Sequence, residues 1–222
     1  MPDGARVVLA TNNAKKLTEL RRIVAVAAPD VEVLALADVA AYPEPAETET
    51  TFEGNALLKA RACVAATGLP ALADDSGLSV DRLNGMPGVR SARWAGADAT
   101  DASNNELLLR QLFDLDDGDR RAHFHAAMAL VLPDGAEHVC LGTMSGRLVH
   151  APRGQNGFGY DPLFVPDGYE RTTAELDAAD KDAISHRGQA IAAIVPVLVA
   201  ELRRLNPDDL HSDDREKAEN HP

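Results

Sequence analysis

The stretch 71–80 (Ala-Leu-Ala-Asp-Asp-Ser-Gly-Leu-Ser-Val) sets an apolar run directly against two adjacent carboxylates. Pro70 to Ala73 are apolar, Asp74 and Asp75 follow, then Ser76 and Gly77, and then a second short apolar run. The pattern predicts a strand, a tight charged turn and another strand. Paired acids at the end of a buried strand are costly to desolvate unless a cation or a set of donors meets them. Two arrangements meet that demand. One is a hard metal ion such as Mg²⁺, held by carboxylate oxygens beside a phosphate. The other is a polar turn in which Asp and Ser bond their own backbone.

Bulk properties narrow the classes available. A chain of 222 residues allows one large α/β domain or two small ones. With 45% hydrophobic and 26% charged residues the composition is that of a soluble globular protein, and no apolar run is long enough to span a bilayer. The first residues, Met1-Pro2-Asp3-Gly4-Ala5-Arg6, carry no basic segment followed by an apolar core, so no signal peptide is expected. Cys63 and Cys140 stand apart and show no metal-ligand spacing, which points to free thiols in a reducing cytosol. The formal charge of −13 argues against general affinity for nucleic acid. An anionic ligand would have to be held by a few local Lys and Arg residues.

Residues 6–10 predict a buried first strand, running through Thr11, Asn12 and Asn13 into a helical pattern with Leu17, Leu20, Val24 and Ala27 on one face. A strand–loop–helix unit presents free backbone N–H groups to an anion. Thr11, Asn13 and Lys16 add a hydroxyl, an amide and an ammonium there, although Asx capping with a solvated lysine explains the same residues. The glycine pattern of a P-loop is lacking. A second strand is expected over 31–36 and an exposed loop over 41–51. Thr50 with Glu53 matches a capping box for a helix from about Phe52 to Thr67, stopped by Gly68 and Pro70. Asn55 and Lys59 share a face of that helix, as a binding pair or as a solvated stripe.

Residues 83–96 are glycine-rich and irregular and carry Arg90, Arg93 and the single Trp94, either to clamp a ligand or to plug a core edge. A helix is expected over 104–113, capped by Asp101 or Ser103, then an acidic connection over 114–119. Residues 121–132 and 137–148 predict long strands joined by Pro133-Asp134-Gly135. His123 and His125 alternate onto one strand face, more simply a solvent face than a metal pair, and Cys140 packs as a small apolar residue. In residues 152–159, glycines around Phe158 let backbone approach a flat ligand, as a base-stacking site or a plain strand entry. Short helical character over 172–183 leads to Lys181, Ser185, His186 and Arg187, and a last helix over about 189–205 carries a kink-prone Pro196. Residues 206–222 hold six Asp/Glu and two Lys/Arg with almost no apolar residue, the composition of a disordered tail.

Six segments taken together resemble the inosine/xanthosine triphosphate pyrophosphatases, enzymes that remove non-standard purine nucleotides. They are residues 9–16 (Leu-Ala-Thr-Asn-Asn-Ala-Lys-Lys), 51–60 (Thr-Phe-Glu-Gly-Asn-Ala-Leu-Leu-Lys-Ala), 73–78 (Ala-Asp-Asp-Ser-Gly-Leu), 87–93 (Pro-Gly-Val-Arg-Ser-Ala-Arg), 157–162 (Gly-Phe-Gly-Tyr-Asp-Pro) and 185–188 (Ser-His-Arg-Gly). They fall in the family's order and span about 6 to 205. Gly54 stands where the family often has Glu, and the tail lies outside the resemblance.

The resemblance implies an α/β fold, with a long twisted mixed sheet flanked by helices in two lobes and the nucleotide in the cleft between them. Residues 1–205 would form this one domain. It implies Mg²⁺-dependent hydrolysis of ITP, dITP or XTP to the monophosphate and pyrophosphate, in a cytoplasmic homodimer. Asp75 would be the catalytic acceptor, and Glu47, Asp74 and Asp75 would supply oxygen ligands for the metal. Thr11, Asn13, Lys16, Lys59 and Lys181 would hold the phosphates, with Ser76 beside the acid pair and Asn55 among the substrate-binding residues. Phe158, Gly159, Tyr160, Asp161, His186 and Arg187 would choose the base, Arg187 aiming a donor at the oxygen on position 6. A Maf-like pyrophosphatase acting on pyrimidine or modified nucleotides and a non-catalytic nucleotide-binding regulator are the alternatives.

Overall fold

The computed structural model describes residues 5–205, built around a six-stranded mixed sheet in the order β2-β1-β3-β4-β5-β6. The expected tail over 206–222 lies outside the described residues. β1 (Arg6–Leu9) runs parallel to both β2 (Glu32–Ala35) and β3 (Ala71–Val80). Parallel neighbours need crossovers, and α1 (Ala14–Ala27) and α2 (Phe52–Thr67) provide them. β4 (Arg121–Val131) and β5 (Glu137–Leu148) then add antiparallel, joined through a turn in which Asp134 Oδ1 accepts from the Ala136 N–H at 3.1 Å. The short β6 (Phe164–Pro166) closes the far edge.

The clearest departure from the sequence reading is β3. Asp74 to Gly77 form no turn: all ten residues of the strand pair in register with β4, Asp74 opposite Met128 and Asp75 opposite Ala127. Pairing along an eleven-residue neighbour outweighs the turn preference of Asp-Asp-Ser-Gly. Helix starts also shift. Thr51, not Thr50, caps α2, its hydroxyl accepting from the Gly54 N–H at 3.1 Å, and Gly68 ends the helix at φ +67°, a left-handed conformation that favours glycine. α3 is Asp101–Gln111, capped by Thr100, whose hydroxyl and backbone N–H both bond Ser103. α4 (Ala178–Ile184) meets α5 (His186–Leu205) at a bend of 66°. Ser185 accepts from the Gly188 N–H at 2.9 Å and so starts α5 three residues before the expected position. α5 stays helical through Pro196.

Three apolar clusters place the cleft. Leu20 and Val24 of α1 and Ile191, Ile194 and Leu198 of α5 pack on one face of the sheet. Ala56, Ala60 and Cys63 of α2 pack on the other. At the far ends of β3 to β5, Leu108 and Leu112 join Leu78, Phe124, Leu163 and Phe164 in a second lobe. Cys140 packs against the first cluster as a small apolar residue. His123 and His125 are half-buried rather than solvent-facing, with His125 stacked on Phe52 at 5.9 Å. Among the described residues no single helix is long and apolar enough to cross a membrane.

Candidate active site

The cleft opens where β3 loses its parallel neighbour. β1 pairs with β3 only at Ala71 and Leu72, after which the Ala10 N–H donates to the Leu72 carbonyl and the chain leaves for α1. The same edge is taken up again at Ser79 and Val80 by Met86 and Pro87. Asp74 to Gly77 lie in the gap, at the point where the sheet changes from parallel to antiparallel. Crevices at such switch points are the usual ligand sites of open α/β sheets.

Strand alternation sends the two aspartates to opposite faces. Asp74 is 1% exposed and turns toward α1 and α5, where Lys16 Nζ lies 2.9 Å away, Arg187 Nε 3.6 Å away, and Ser76 Oγ donates at 3.3 Å. Burial alone would raise its pKa, but Lys16, Arg187 and Lys59 hold it well below the usual carboxylate range. Asp75 turns toward α2. Asn55 Nδ2 and the Ser76 N–H each donate to it at 3.0 Å, and Lys59 Nζ stands 3.7 Å off. Here burial wins over Lys59 and Lys16, and the Asp75 pKa is pushed up.

Glu47 arrives from the loop before α2 and shares Lys59 with Asp75. Its carboxylate lies 3.1 Å from Lys59 Nζ and 2.6 Å from Arg93 Nη1. These two cations keep Glu47 ionised against the upward pull of burial. Lys59 is itself buried, yet Asp74, Asp75 and Glu47 outweigh that burial and raise its pKa. Both Glu47 and Asp75 line the cleft, whereas Asp74 does not. Asp74, expected as a metal ligand, therefore faces Lys16 and Arg187, and the hard oxygens presented to the cleft come from Glu47 and Asp75.

At the start of α1, the Thr11 hydroxyl accepts from the Asn13 N–H, and Asn13 Oδ1 accepts from the Lys16 N–H, both at 3.2 Å. Capping and cleft lining coincide, since Thr11, Asn13 and Lys16 all face the cavity of about 410 Å³. That volume falls in the range of small-ligand sites. The opposite wall comes from the 157–161 loop and α5. Arg187 lies over the Phe158 ring at 4.8 Å and donates to Ser76 Oγ at 2.9 Å. His186 is buried and stacked on Phe124 at 4.8 Å, and burial holds its pKa well below the ordinary value. Tyr160 and Asp161 line the cleft but are anchored away from it: the Tyr160 hydroxyl donates to the Ser91 carbonyl at 2.9 Å, and Asp161 binds Lys181 at 2.7 Å. Asn55 and Lys181 stand just behind the cavity wall, Lys181 reaching a neighbouring groove beneath Phe158.

Three partners were not singled out by the sequence. Asn12 donates to Glu44 at 2.6 Å, tying the β1–α1 loop to the acidic loop. Asn104 Nδ2 donates to the Ala92 carbonyl, and its Oδ1 accepts from the Ala95 N–H. Asn105 donates to the Gly159 carbonyl at 3.0 Å. Two adjacent asparagines one turn past a cap are unusual enough to have flagged the last two.

Fold and cleft together define a class: a two-lobed α/β protein with a cavity lined by cations and carboxylates at a sheet switch point. The Ham1 family model matches residues 7–197, and the chain belongs to that family. It is 58% identical over 200 residues to the dITP/XTP pyrophosphatase of Cutibacterium acnes, covering 89% of this chain and 98% of that protein. The corresponding figures for the Nocardia farcinica dITP/XTP pyrophosphatase are 56% over 197 residues, 88% and 96%. The crystal structure of the Mycobacterium abscessus nucleoside-triphosphatase, a dITP/XTP pyrophosphatase, matches with a TM-score of 0.72 at 53% identity, covering 86% of this chain and 99% of its own. A Ham1 protein from Coxiella burnetii matches with a TM-score of 0.79 at 43% identity, covering 88% and 98%.

Proposed function

We propose that this chain hydrolyses non-standard purine nucleoside triphosphates, ITP, dITP and XTP, to the monophosphate and pyrophosphate. One observation carries the reading: Asp75 and Glu47 face the cleft on either side of the Lys59 ammonium, opposite an Arg187–Phe158 pair suited to a base. The names of the relatives favour purine substrates over the Maf-like alternative.

Water attacks the α-phosphorus, the bond to the bridging oxygen breaks, and pyrophosphate leaves. Asp75 takes the proton of the attacking water on a carboxylate oxygen. The two hard-oxygen groups already gather round one cation, so the donor set fits Mg²⁺. Glu47 and Asp75 would hold the Mg²⁺, which would supply charge neutralisation at the phosphates and an acidified water. Lys16, Thr11 and Asn13 at the start of α1, with Lys59, hold the phosphates, where backbone N–H groups favour anions. Asp74 serves this set by keeping Lys16 and Arg187 in place. Phe158 stacks on the base. Arg187 donates to the oxygen at position 6, which leaves buried donors unpaired against adenine. The span 1–205 acts as one domain, in a cytoplasmic homodimer.

Pyrophosphate release from ITP, XTP and dITP in the presence of Mg²⁺ tests the reading, with ATP, GTP, dTTP and UTP as competitors. Turnover of the first three, lost by about 10³-fold in Asp75→Asn, is the expected result. Preference for dTTP or UTP, or an Asp75→Asn protein that keeps full activity, overturns it.

A further inference from the structure

We infer that Asn105 is a positioning residue for base choice: by holding the Gly159 carbonyl it sets where Phe158 stands in the cleft. The inference rests on the proposed function and concerns a residue outside the groups that meet the substrate there.

Phe158 sits between Gly157 at φ +73° and Gly159 at φ +63°. Two glycines in left-handed conformations make a backbone that is easily displaced, because glycine has many other conformations open to it. Keeping an aromatic ring in one place on such a segment takes bonds from outside it. Asp161 supplies one from within the loop, accepting from the Phe158 N–H at 2.8 Å. Asn105 Nδ2 supplies another from α3, donating to the Gly159 carbonyl at 3.0 Å.

α3 serves both sides of the cleft with neighbouring residues. Adjacent helical side chains point about 100° apart, so Asn104 and Asn105 reach different partners. Asn104 ties the 88–96 segment through Ala92 and Ala95, while Asn105 ties the Phe158 loop. The Tyr160 hydroxyl links the two tied segments at Ser91. The Phe158 side of the cleft is therefore framed by one small helix.

Asn105 is buried, and its Oδ1 has no hydrogen-bond partner among the described residues. An apolar residue there would leave no orphaned acceptor of its own. An amide kept at that cost is kept for what its N–H group does, and what it does is hold Gly159.

The test compares wild type with Asn105→Asp, which keeps the shape but, ionised, cannot donate to a carbonyl, and with Asn105→Ala, which cannot donate in any protonation state. Four constants are measured: kcat and KM on ITP, and the inhibition constants of IMP and of pyrophosphate. The expected result is a rise of about tenfold in KM for ITP and in the IMP constant, the size of one lost hydrogen bond. kcat should stay within about twofold and the pyrophosphate constant should not move. Unchanged IMP binding in both variants overturns the inference. So does a parallel loss of IMP and pyrophosphate binding, which would mean general loosening. A wild-type protein that neither turns over ITP nor binds IMP sinks the proposed function, and this inference with it. Wild-type activity with unaltered variants sinks the inference alone.

Discussion

The two ends of the cleft are built by different means. At the acidic end, every charge stands on regular structure or leans against it: Asp74 and Asp75 on β3, Lys59 on α2, Lys16 on α1. These groups neutralise one another, with Lys59 between Glu47 and Asp75 and Lys16 against Asp74. At the Phe158 end, the ring stands on a glycine-flanked loop tethered by Asp161 and Asn105, with Arg187 and Lys181 lying over the ring. The first end is preorganised by charge and needs little adjustment to receive phosphates. The second is shaped by tethers, and there a small change in one tether should alter which base fits. Chemistry and selectivity are thereby separable.

The largest effect that would probe this division comes from Lys59. It is buried among three carboxylates, and removing it takes from Asp75 the nearest cation and from Glu47 one of two, while Asp74 keeps Lys16. Breaking a buried pair in this way costs about 3–5 kcal/mol. Lys59→Met should lower Tm by roughly 10 °C, measured by calorimetry, and should abolish pyrophosphate binding. Lys181→Met is the matching variant at the other end, where the ammonium meets one carboxylate, Asp161, at 2.7 Å. It should weaken IMP binding and leave pyrophosphate binding nearly intact. Equal loss of pyrophosphate binding in the two variants would break the comparison.

Arg187 sharpens it, because this side chain belongs to both ends. It lies over Phe158, donates to Ser76 and approaches Asp74. Arg187→Ala should reduce the preference for ITP over ATP by about 10- to 100-fold, the cost of one charge-assisted hydrogen bond. Competition assays with mixed nucleotides measure it. Unchanged discrimination would assign base choice to the Phe158 loop alone.

The same contrast explains what could be read in advance. At the acidic end α1 announces itself by apolar periodicity and α2 by its cap and stop signals, and β4 and β5 lie within a residue of their expected bounds because Pro133-Asp134-Gly135 leaves the chain one turn to make. Asp74 and Asp75 misled because their local preference is for a turn, and the ten-residue pairing that overrides it comes from β4, some fifty residues on. That pairing also sends the two acids to opposite faces, which no reading of adjacent letters as one ligand pair would yield. The tethers of the base end were the least legible. Asn105 and Gly159 lie 54 residues apart, and an asparagine in a helix carries no signal of the carbonyl it holds.

The smallest expected effect is on His186, and it concerns protonation. Burial, then the charges of Arg187 and Lys181, hold its folded pKa well below the ordinary value. In the unfolded chain the same imidazole titrates near 6.5. Below that pH the unfolded state binds a proton that the folded state does not, so stability falls as pH falls. Between pH 6.5 and 5.5 the loss from this one group is about 1 kcal/mol. His186→Gln removes the group, so its stability should decline less than that of wild type over the same interval, read as the difference between the two urea-unfolding curves at each pH. Parallel declines would mean that His186 takes up its proton in the folded protein. A cationic ring beside Arg187 would then repel that guanidinium from Phe158 and Ser76, and the base end would be set by charge after all. A neutral ring at pH 6 keeps one donor and one acceptor in the cleft across the working range, which is what reading a purine edge by hydrogen bonds requires.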